Sequence, residues 1–285
     1  MTTVTSNGVE IPFDADHFAP LRDSTALIAD PAALRDRYET DGYVLVRNLL
    51  DPQRLRDLRA AYFEQFDPCY LKPGTRAADG IFSGRRPPGL NPHGTAGHPA
   101  HDFVRSQPFL DFCAKPELAA LATTILGAPV EQLPRRILRH FDNSSPRASR
   151  AHVDYAYLDA GSDRLLTAWV PIGDCPLTTG ALVYLEGSHL LAPADMDRVR
   201  SRTDRADDRR PLSHDLAWVA EQLGRRWLYA DFAAGDVIVH SPHTVHASLD
   251  TTTESMRLSA DLRYIAAGEP QDARWQEAWA GDDGK

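Results

Sequence analysis

The triplet His152-Val153-Asp154 sets an imidazole and a carboxylate two residues apart. In an extended segment residues i and i+2 project to the same face, so these side chains converge as two ligands of a divalent metal must. With 11 histidines and 40 acidic residues in 285 positions, chance supplies about one or two such triplets, and a strand with two polar residues on its exposed face explains most of them. The context comes from a second run, Gly235-Asp236-Val237-Ile238-Val239-His240-Ser241-Pro242-His243-Thr244-Val245-His246-Ala247-Ser248. There a Gly-Asp turn feeds a strand that ends among three histidines. One of them, arriving from a distant strand, would complete two histidines and one carboxylate on one face of a metal, with three positions open. That arrangement suits Fe(II) with a bidentate co-substrate and dioxygen. Arg257 stands eleven residues after His246, where a guanidinium can hold the remote carboxylate of an oxo-acid through two parallel hydrogen bonds.

The elements that must position these groups are partly legible. Asp30-Pro31 reads as an N-cap with a first-turn proline before Leu34 and Tyr38, and Asp51-Pro52 repeats the signal before Leu55, Leu58 and Tyr62. The β-rich run Gly42-Tyr43-Val44-Leu45-Val46 lies between them, so the chain opens as helix, strand, helix, the second helix reaching about Phe66. From Asp67 to about Gln107 the pattern dissolves into Gly, Pro, His and Arg, a loop of a length that is uncommon unless it serves a site or is disordered. Pro116 to Leu126 reads as a helix closed by Gly127. Short β-rich stretches follow at 129–141, 149–157, 164–170, 181–185, 236–240, 244–248 and 257–265. The expected fold is mainly β with flanking helices, the strand spacing pointing to a β-sandwich or jelly roll in the C-terminal half. One domain over 1–285 is expected, with 1–128 a mostly helical flank and active-site loop and 129–265 the core. Between Asp195 and Arg210 six arginines face five aspartates, which reads as a solvated insertion or as a lid.

Composition narrows the function. A net charge of −9 offers no broad attraction to nucleic acid or to an anionic membrane. Cys69, Cys113 and Cys175 are far apart with no CxxC pair, which argues against a disulfide framework or structural zinc and fits a reducing cytoplasm. No apolar run approaches the ~18 residues of a membrane span, and the N-terminus lacks the marks of a signal peptide. A soluble cytoplasmic protein, monomer or homodimer, is expected.

Several segments, in order, resemble the phytanoyl-CoA dioxygenase-like Fe(II)/2-oxoglutarate-dependent oxygenases. They are Tyr38-Glu39-Thr40-Asp41-Gly42-Tyr43-Val44, His152-x-Asp154, Trp169-Val170-Pro171, Thr179-Gly180-Ala181-Leu182, Gly187-Ser188-His189, Gly235-Asp236, and His246-x-Ser248 followed by Arg257. The resemblance implies an enzyme with a double-stranded β-helix (jelly roll, cupin-like) core that binds Fe(II) and 2-oxoglutarate, consumes dioxygen and a small-molecule substrate, and releases succinate. His152, Asp154 and His246 then look like the iron ligands, His246 being selected over His240 and His243 by its His-x-Ser context and its spacing to Arg257. Arg257 looks like the anchor of the distal 2-oxoglutarate carboxylate, with Ser248 as its hydroxyl partner. Trp169 matches a position beside the co-substrate or is an ordinary core residue, and His189 belongs to a structural turn.

Arg139 is a second co-substrate candidate, with an ion pair as the alternative. Tyr155 and Tyr157, placed just after a ligand, and Arg85 and Arg86, in the locally basic long loop, are candidate substrate contacts. The retained Asp154 favours hydroxylation of an unactivated C–H bond in small-molecule secondary metabolism, while desaturation, epimerisation and cyclisation use the same cofactors. A non-catalytic jelly-roll binding module and a cupin isomerase are the competing classes. The first need not keep the whole constellation, and the second does not need Arg257.

Overall fold

The computed structural model describes residues 2–144, 147–158, 161–200, 208 and 210–280. A hairpin of β1 (Thr3–Ser6) and β2 (Val9–Pro12) precedes β3 (Phe18–Pro20). Helix α1 (Pro31–Asp41) begins where the Asp30 carboxylate accepts the N–H groups of Ala32 and Ala33, and it ends at Gly42 with φ 76°. Strand β4 (Tyr43–Val46) and helix α2 (Pro52–Phe63), capped by Asp51, follow. Helices α3 (Pro99–Phe103), α4 (Gln107–Cys113) and α5 (Pro116–Leu126) complete the first part. Then come β5 (Val130–Gln132), β6 (Ile137–Phe141), β7 (Leu165–Pro171), β8 (Leu182–Leu185), α6 (Pro193–Val199) and α7 (Leu216–Leu223). Strands β9 (Trp227–Tyr229), β10 (Val237–His240), β11 (His246–Ser248) and β12 (Arg257–Ala266) close the order. Among the described residues no helix is long and apolar enough to cross a membrane.

The strands form the two facing sheets of the expected jelly roll. The larger runs β4-β10-β7-β12-β5, with β6 pairing the first half of β12 and β5 its end; the smaller runs β11-β8-β9-β3. Period-2 alternation divides the side chains into two cores. Val44, Val46, Ala168, Val170, Val237, Val239, Leu258, Ala260 and Leu262 face outward against the helical layer that supplies Leu34, Leu55, Leu58, Leu118 and Leu121. Tyr43, Leu45, Trp169 and Ile238 face inward against Val183, Leu185, Trp227 and Ala247 of the smaller sheet. Both faces of the larger sheet are therefore covered, which explains why β4 and β10 read as continuous apolar runs.

Four sequence expectations are corrected. The stretch 129–141 is two strands, because Leu133 donates its N–H to Arg263 O and Pro134, which has none to give, turns the chain off β12. Helix α2 stops at Phe63 rather than Phe66. The stretch 149–157 is not a strand: a 3-10 turn spans Asp154–Tyr157, and Tyr155 N–H bonds the carbonyl of Pro242, which offers no N–H to continue a ladder. The long loop from 67 to 107 contains 3-10 turns at Pro68–Tyr70 and Ala77–Asp79 as well as α3. It is fastened to the segment before β12 by a bridge between Ile81 and Ser255 and by Lys72 on Glu254.

That loop buries histidines against the outer face of the sheet. His140, on β6, lies 3.0 Å from Tyr62 Oη through Nδ1 and 3.3 Å from Tyr70 Oη through Nε2, with the ring of His98 5.9 Å away. Burial holds His140 well below the ordinary histidine range and pushes His98 down to about 4. His98 also caps α3, its Nδ1 accepting the N–H of Ala100 at 3.2 Å. A histidine with a depressed folded pKa contributes stability above its unfolded value of about 6.5 that is lost as pH falls through the folded value. For His98 that window runs from about 6.5 to about 4. The metal-free protein is therefore expected to melt at progressively lower temperature as pH falls through this window. His98→Asn, which keeps a capping acceptor but removes the titrating ring, should show a shallower fall; parallel pH profiles for the two proteins would refute the assignment.

Candidate metal and co-substrate site

His152 and His246 form an isolated antiparallel bridge, each donating its N–H to the other's carbonyl at 3.0 Å, with ring centroids 4.2 Å apart. The Nδ1 of His152 lies 2.7 Å from Arg150 O and that of His246 3.0 Å from Thr244 O. A carbonyl can only accept, so each Nδ1 carries the proton and each Nε2 presents a lone pair. Both Nε2 atoms face Asp154 Oδ1, at 3.8 Å from His152 and 3.9 Å from His246. The ligand atoms of the three residues lie within 4.8 Å of one another, the only such group among the described residues. Val153 is extended at φ −111° and ψ 139°, so the same-face placement of His152 and Asp154 survives without a regular strand.

The protonation states suit a cation. Burial, reinforced at His246 by the neighbouring imidazoles, holds both histidines below their usual range and so neutral. Burial alone would raise Asp154, but the Arg263 guanidinium, followed by His240 and His246, outweighs it and holds the carboxyl well below the usual carboxylate range. Two neutral imidazoles with deprotonated Nε2 and one ionised carboxylate match the two-histidine, one-carboxylate donor set of non-haem iron.

Sheet register explains how Asp154 is held. His240, Thr167 and Arg263 are direct neighbours across β10, β7 and β12. All three reach the carboxylate: Thr167 Oγ1 donates to Oδ2 at 2.5 Å, Arg263 Nη2 lies 3.3 Å from both oxygens, and His240 Nε2 is 3.5 Å from Oδ2. His240 thus approaches from the larger sheet while His246 approaches from the smaller, after the chain crosses between them at Ser241-Pro242. That crossing is braced by Gly42, whose carbonyl accepts Ser241 N–H and Thr244 Oγ1. A side chain at Gly42 would collide with His189, its Cβ 2.4 Å from Nδ1. The Gly42 and His189 motifs therefore touch, and His189, bonded through Nε2 to Glu39 O at 3.0 Å, is structural as expected.

Arg257 is 1% exposed at the other end of β12. Its Nη1 donates to Gly180 O at 2.5 Å and its guanidinium lies 4.2 Å over the Phe141 ring, while Nε and Nη2 have no hydrogen-bond partner among the described residues. Burial lowers its pKa to about 10, which still leaves it charged at neutral pH. Ser248 was the expected hydroxyl neighbour, but its Oγ accepts Ser149 N–H at 2.6 Å and no hydrogen bond joins it to Arg257 among the described residues. Ser259, two residues from Arg257 on the same face, is fully buried with a free hydroxyl. Between the two ends of β12, Arg139 Nε bonds Asp261 Oδ2 at 2.9 Å, and Trp169, opposite Asp261 in register, is buried with its Nε1 unpartnered.

The substrate candidates divide. Tyr157 sets its ring edge against His152 at 5.5 Å and carries Arg210 over its face at 4.8 Å. Tyr155 is partly exposed and packs on His243 at 4.5 Å, and His243 turns outward to Asp163. Arg85 and Arg86 are exposed, and no hydrogen bond or ion pair joins either to the metal cluster among the described residues. Of the charged insertion, residues 201–207 and 209 lie outside the described residues. Thr167, Arg263 and Trp275, whose ring lies 4.3 Å from the Arg263 guanidinium, were not singled out in the sequence. Only the register and the path of the C-terminal segment bring them to the site.

The profile of the family described as phytanoyl-CoA dioxygenase (PhyH) matches residues 38–259. The chain is 24% identical over 262 residues to 1-deoxypentalenic acid 11-beta-hydroxylase of Streptomyces arenae, covering 88% of this chain and 87% of that protein. Its fold is similar to two solved structures from nogalamycin biosynthesis. One is the non-heme alpha ketoglutarate dependent epimerase SnoN, at TM-score 0.59 and 23% identity over 85% of each chain. The other is the carbocyclase SnoK, at TM-score 0.58 and 20% identity over 84% of this chain and 85% of that one. Family match, fold and donor set agree: the chain belongs to the phytanoyl-CoA dioxygenase family of Fe(II)/2-oxoglutarate-dependent oxygenases.

Proposed function

We propose that this enzyme hydroxylates an unactivated C–H bond of a small molecule in secondary metabolism, with His152, Asp154 and His246 holding the iron and Arg257 holding the distal carboxylate of 2-oxoglutarate. The observation that carries the reading is the pair of committed imidazoles: both Nδ1 protons are spent on backbone carbonyls, so both Nε2 lone pairs remain for a metal beside Asp154. With iron bound, dioxygen would be the oxidant, taking two electrons from 2-oxoglutarate, which leaves as succinate and carbon dioxide, and two from the C–H bond, which becomes C–OH. The chain's own residues bind and orient. Thr167 and Arg263 fix the carboxylate plane of Asp154, and Arg257 offers two unpartnered nitrogens to a carboxylate. Trp169 and the Arg139–Asp261 pair line the inner face between them. Tyr157, with Arg210 and Trp275 behind it, screens the metal cluster from water on the side of His152.

The similarity to a hydroxylase and the retained Asp154 favour hydroxylation. The similarity in fold to an epimerase and a carbocyclase supports a second outcome, epimerisation or ring closure from the same bound groups. We read residues 1–285 as one catalytic domain, cytoplasmic, with no nucleic-acid or membrane partner. Arg85 and Arg86 remain candidates for contacts made with substrate present.

Two outcomes test the assignment. Alanine at His152, Asp154 or His246 is expected to abolish stoichiometric Fe(II) binding under anaerobic conditions, whereas His243→Ala, whose ring turns away to Asp163, should load normally. Iron retained by His246→Ala and lost by His243→Ala would reverse the ligand assignment. Arg257→Lys keeps the charge but loses the planar fork, so 2-oxoglutarate should bind the iron-loaded variant about tenfold or more weakly. An unchanged dissociation constant, read from the visible absorption of the anaerobic complex, would remove Arg257 from its role. Succinate formation across a panel of small molecules, followed by product analysis, separates hydroxylation from epimerisation and cyclisation.

A further inference from the structure

Arg263 is 3% exposed, and its guanidinium is only partly used. Nη2 contacts the two oxygens of Asp154, each at 3.3 Å, and the Trp275 ring lies 4.3 Å from the guanidinium carbon; Nε and Nη1 have no hydrogen-bond partner. A guanidinium has five N–H donors, and leaving several unmet in a sealed interior carries a desolvation cost that calls for an explanation. Nearby charges do not provide one. Among the described residues Arg139 is paired with Asp261, Arg274 with Asp272 and Arg210 with Asp208, which leaves Asp154 as the acidic partner of Arg263. On the metal assignment made above, on which this inference rests, Asp154 is shared with a dication. A divalent metal, Asp154, Arg257 and Arg263 with one bound dicarboxylate leave a single positive charge uncompensated in a buried site. Such a charge is expensive unless an anion meets it.

We propose that Arg263 is a second carboxylate-binding residue of the site, separate from Arg257. Its occupant is a carboxylate that lies beside Asp154 and accepts from Nη1, with the hydrogen of Nη2 that faces Nη1 completing the end-on edge of the fork. Two sources share this chemistry: the substrate, which would then be a carboxylic acid, and the carboxylate of 2-oxoglutarate adjacent to its keto group. The charge balance favours the substrate, because it calls for one anion beyond the two that the co-substrate brings. Arg257 and Arg263 are six residues apart on β12, roughly 20 Å at the rise of an extended strand. They therefore address different ends of the site.

The test uses full-length protein loaded with Mn(II), which binds oxygen and nitrogen ligands without turnover, and reads affinity by titration calorimetry. Wild type, Arg263→Gln and Arg263→Lys are compared for Mn(II), for 2-oxoglutarate, for pyruvate, and, with 2-oxoglutarate present, for octanoate, decanoate and phenylacetate against the corresponding alcohols. If the substrate supplies the carboxylate, Arg263→Gln keeps its affinity for 2-oxoglutarate and binds at least one acid of the panel tenfold or more weakly than wild type, while the alcohols show no such difference. If 2-oxoglutarate supplies it, the variant binds 2-oxoglutarate and pyruvate weakly to the same degree, since pyruvate retains only that carboxylate. Ligand affinities are compared at Mn(II) concentrations that saturate each protein, because Arg263 also orients and charges Asp154 and its replacement is expected to weaken Mn(II) binding moderately without abolishing it. Arg263→Lys is expected to fall between the two proteins, and it carries the comparison if the glutamine variant does not fold. Equal affinities of wild type and variants for 2-oxoglutarate, pyruvate and every acid, including the case in which no acid binds, overturn the proposal. So does a loss of Mn(II) binding in both variants, which would mark Arg263 as a structural support. Failure of the wild type itself to bind Mn(II) would instead bring down the metal assignment, and this inference with it.

Discussion

A carboxylate 3% exposed, at the meeting of two sheets, is the constraint on which the rest of the site depends. Asp154 has left water almost completely, and an unpaired charge there would cost several kcal/mol. It stays ionised because one register row of the larger sheet delivers a hydroxyl from Thr167 and a guanidinium from Arg263, while His152 and His246 close on it from the other side. A register slip by one residue in β12 would turn Arg263 outward into the apolar layer and leave Asp154 without its cation. Strand pairing and site electrostatics are therefore a single requirement. This accounts for a ten-residue strand, buried along its whole length, that alternates Leu258, Ala260 and Leu262 outward with Arg257, Ser259, Asp261 and Arg263 inward.

The imidazoles are set by backbone rather than by other side chains. Each Nδ1 is spent on a carbonyl two residues back, Arg150 for His152 and Thr244 for His246, so ring orientation and tautomer follow from the chain path. The path is held at a distance. Gly42 ends α1 and receives the turn between β10 and β11, and the Asp236 carboxylate ties the start of β10 to Arg47 and Asn48 after β4. Segments far apart in sequence are thereby locked to the turn that aims His246.

How much of this was readable depends on range. His152 and Asp154 were found because one extended residue, Val153, settles their relative direction, and this held although the regular strand expected around them is absent. Helix starts at Asp30-Pro31 and Asp51-Pro52 were found because capping is local. Thr167 and Arg263 were missed because their relation to Asp154 exists only through pairing of β7 with β12, which no local pattern encodes. Ser248 was singled out by its place two residues after a histidine, and the structure adds a second buried hydroxyl, Ser259, on the strand of Arg257 itself. The polar-inward, apolar-outward reading of β12 was available from parity alone, but it inverts the usual expectation that the polar face of a strand meets solvent.

Arg257 shows why such a strand cannot simply be optimised for stability. Its Gly180 carbonyl and Phe141 ring satisfy part of a buried guanidinium and leave Nε and Nη2 without partners. Filling those needs with a resident carboxylate would stabilise the empty protein and close the position to any ligand. An apolar replacement would pack as well and bind nothing. In the co-substrate role proposed for Arg257, part of the binding free energy of an incoming carboxylate would be the relief of a desolvation cost already present in the fold. The two unmet nitrogens of Arg263 extend the same desolvation cost to the opposite end of the inner face of β12.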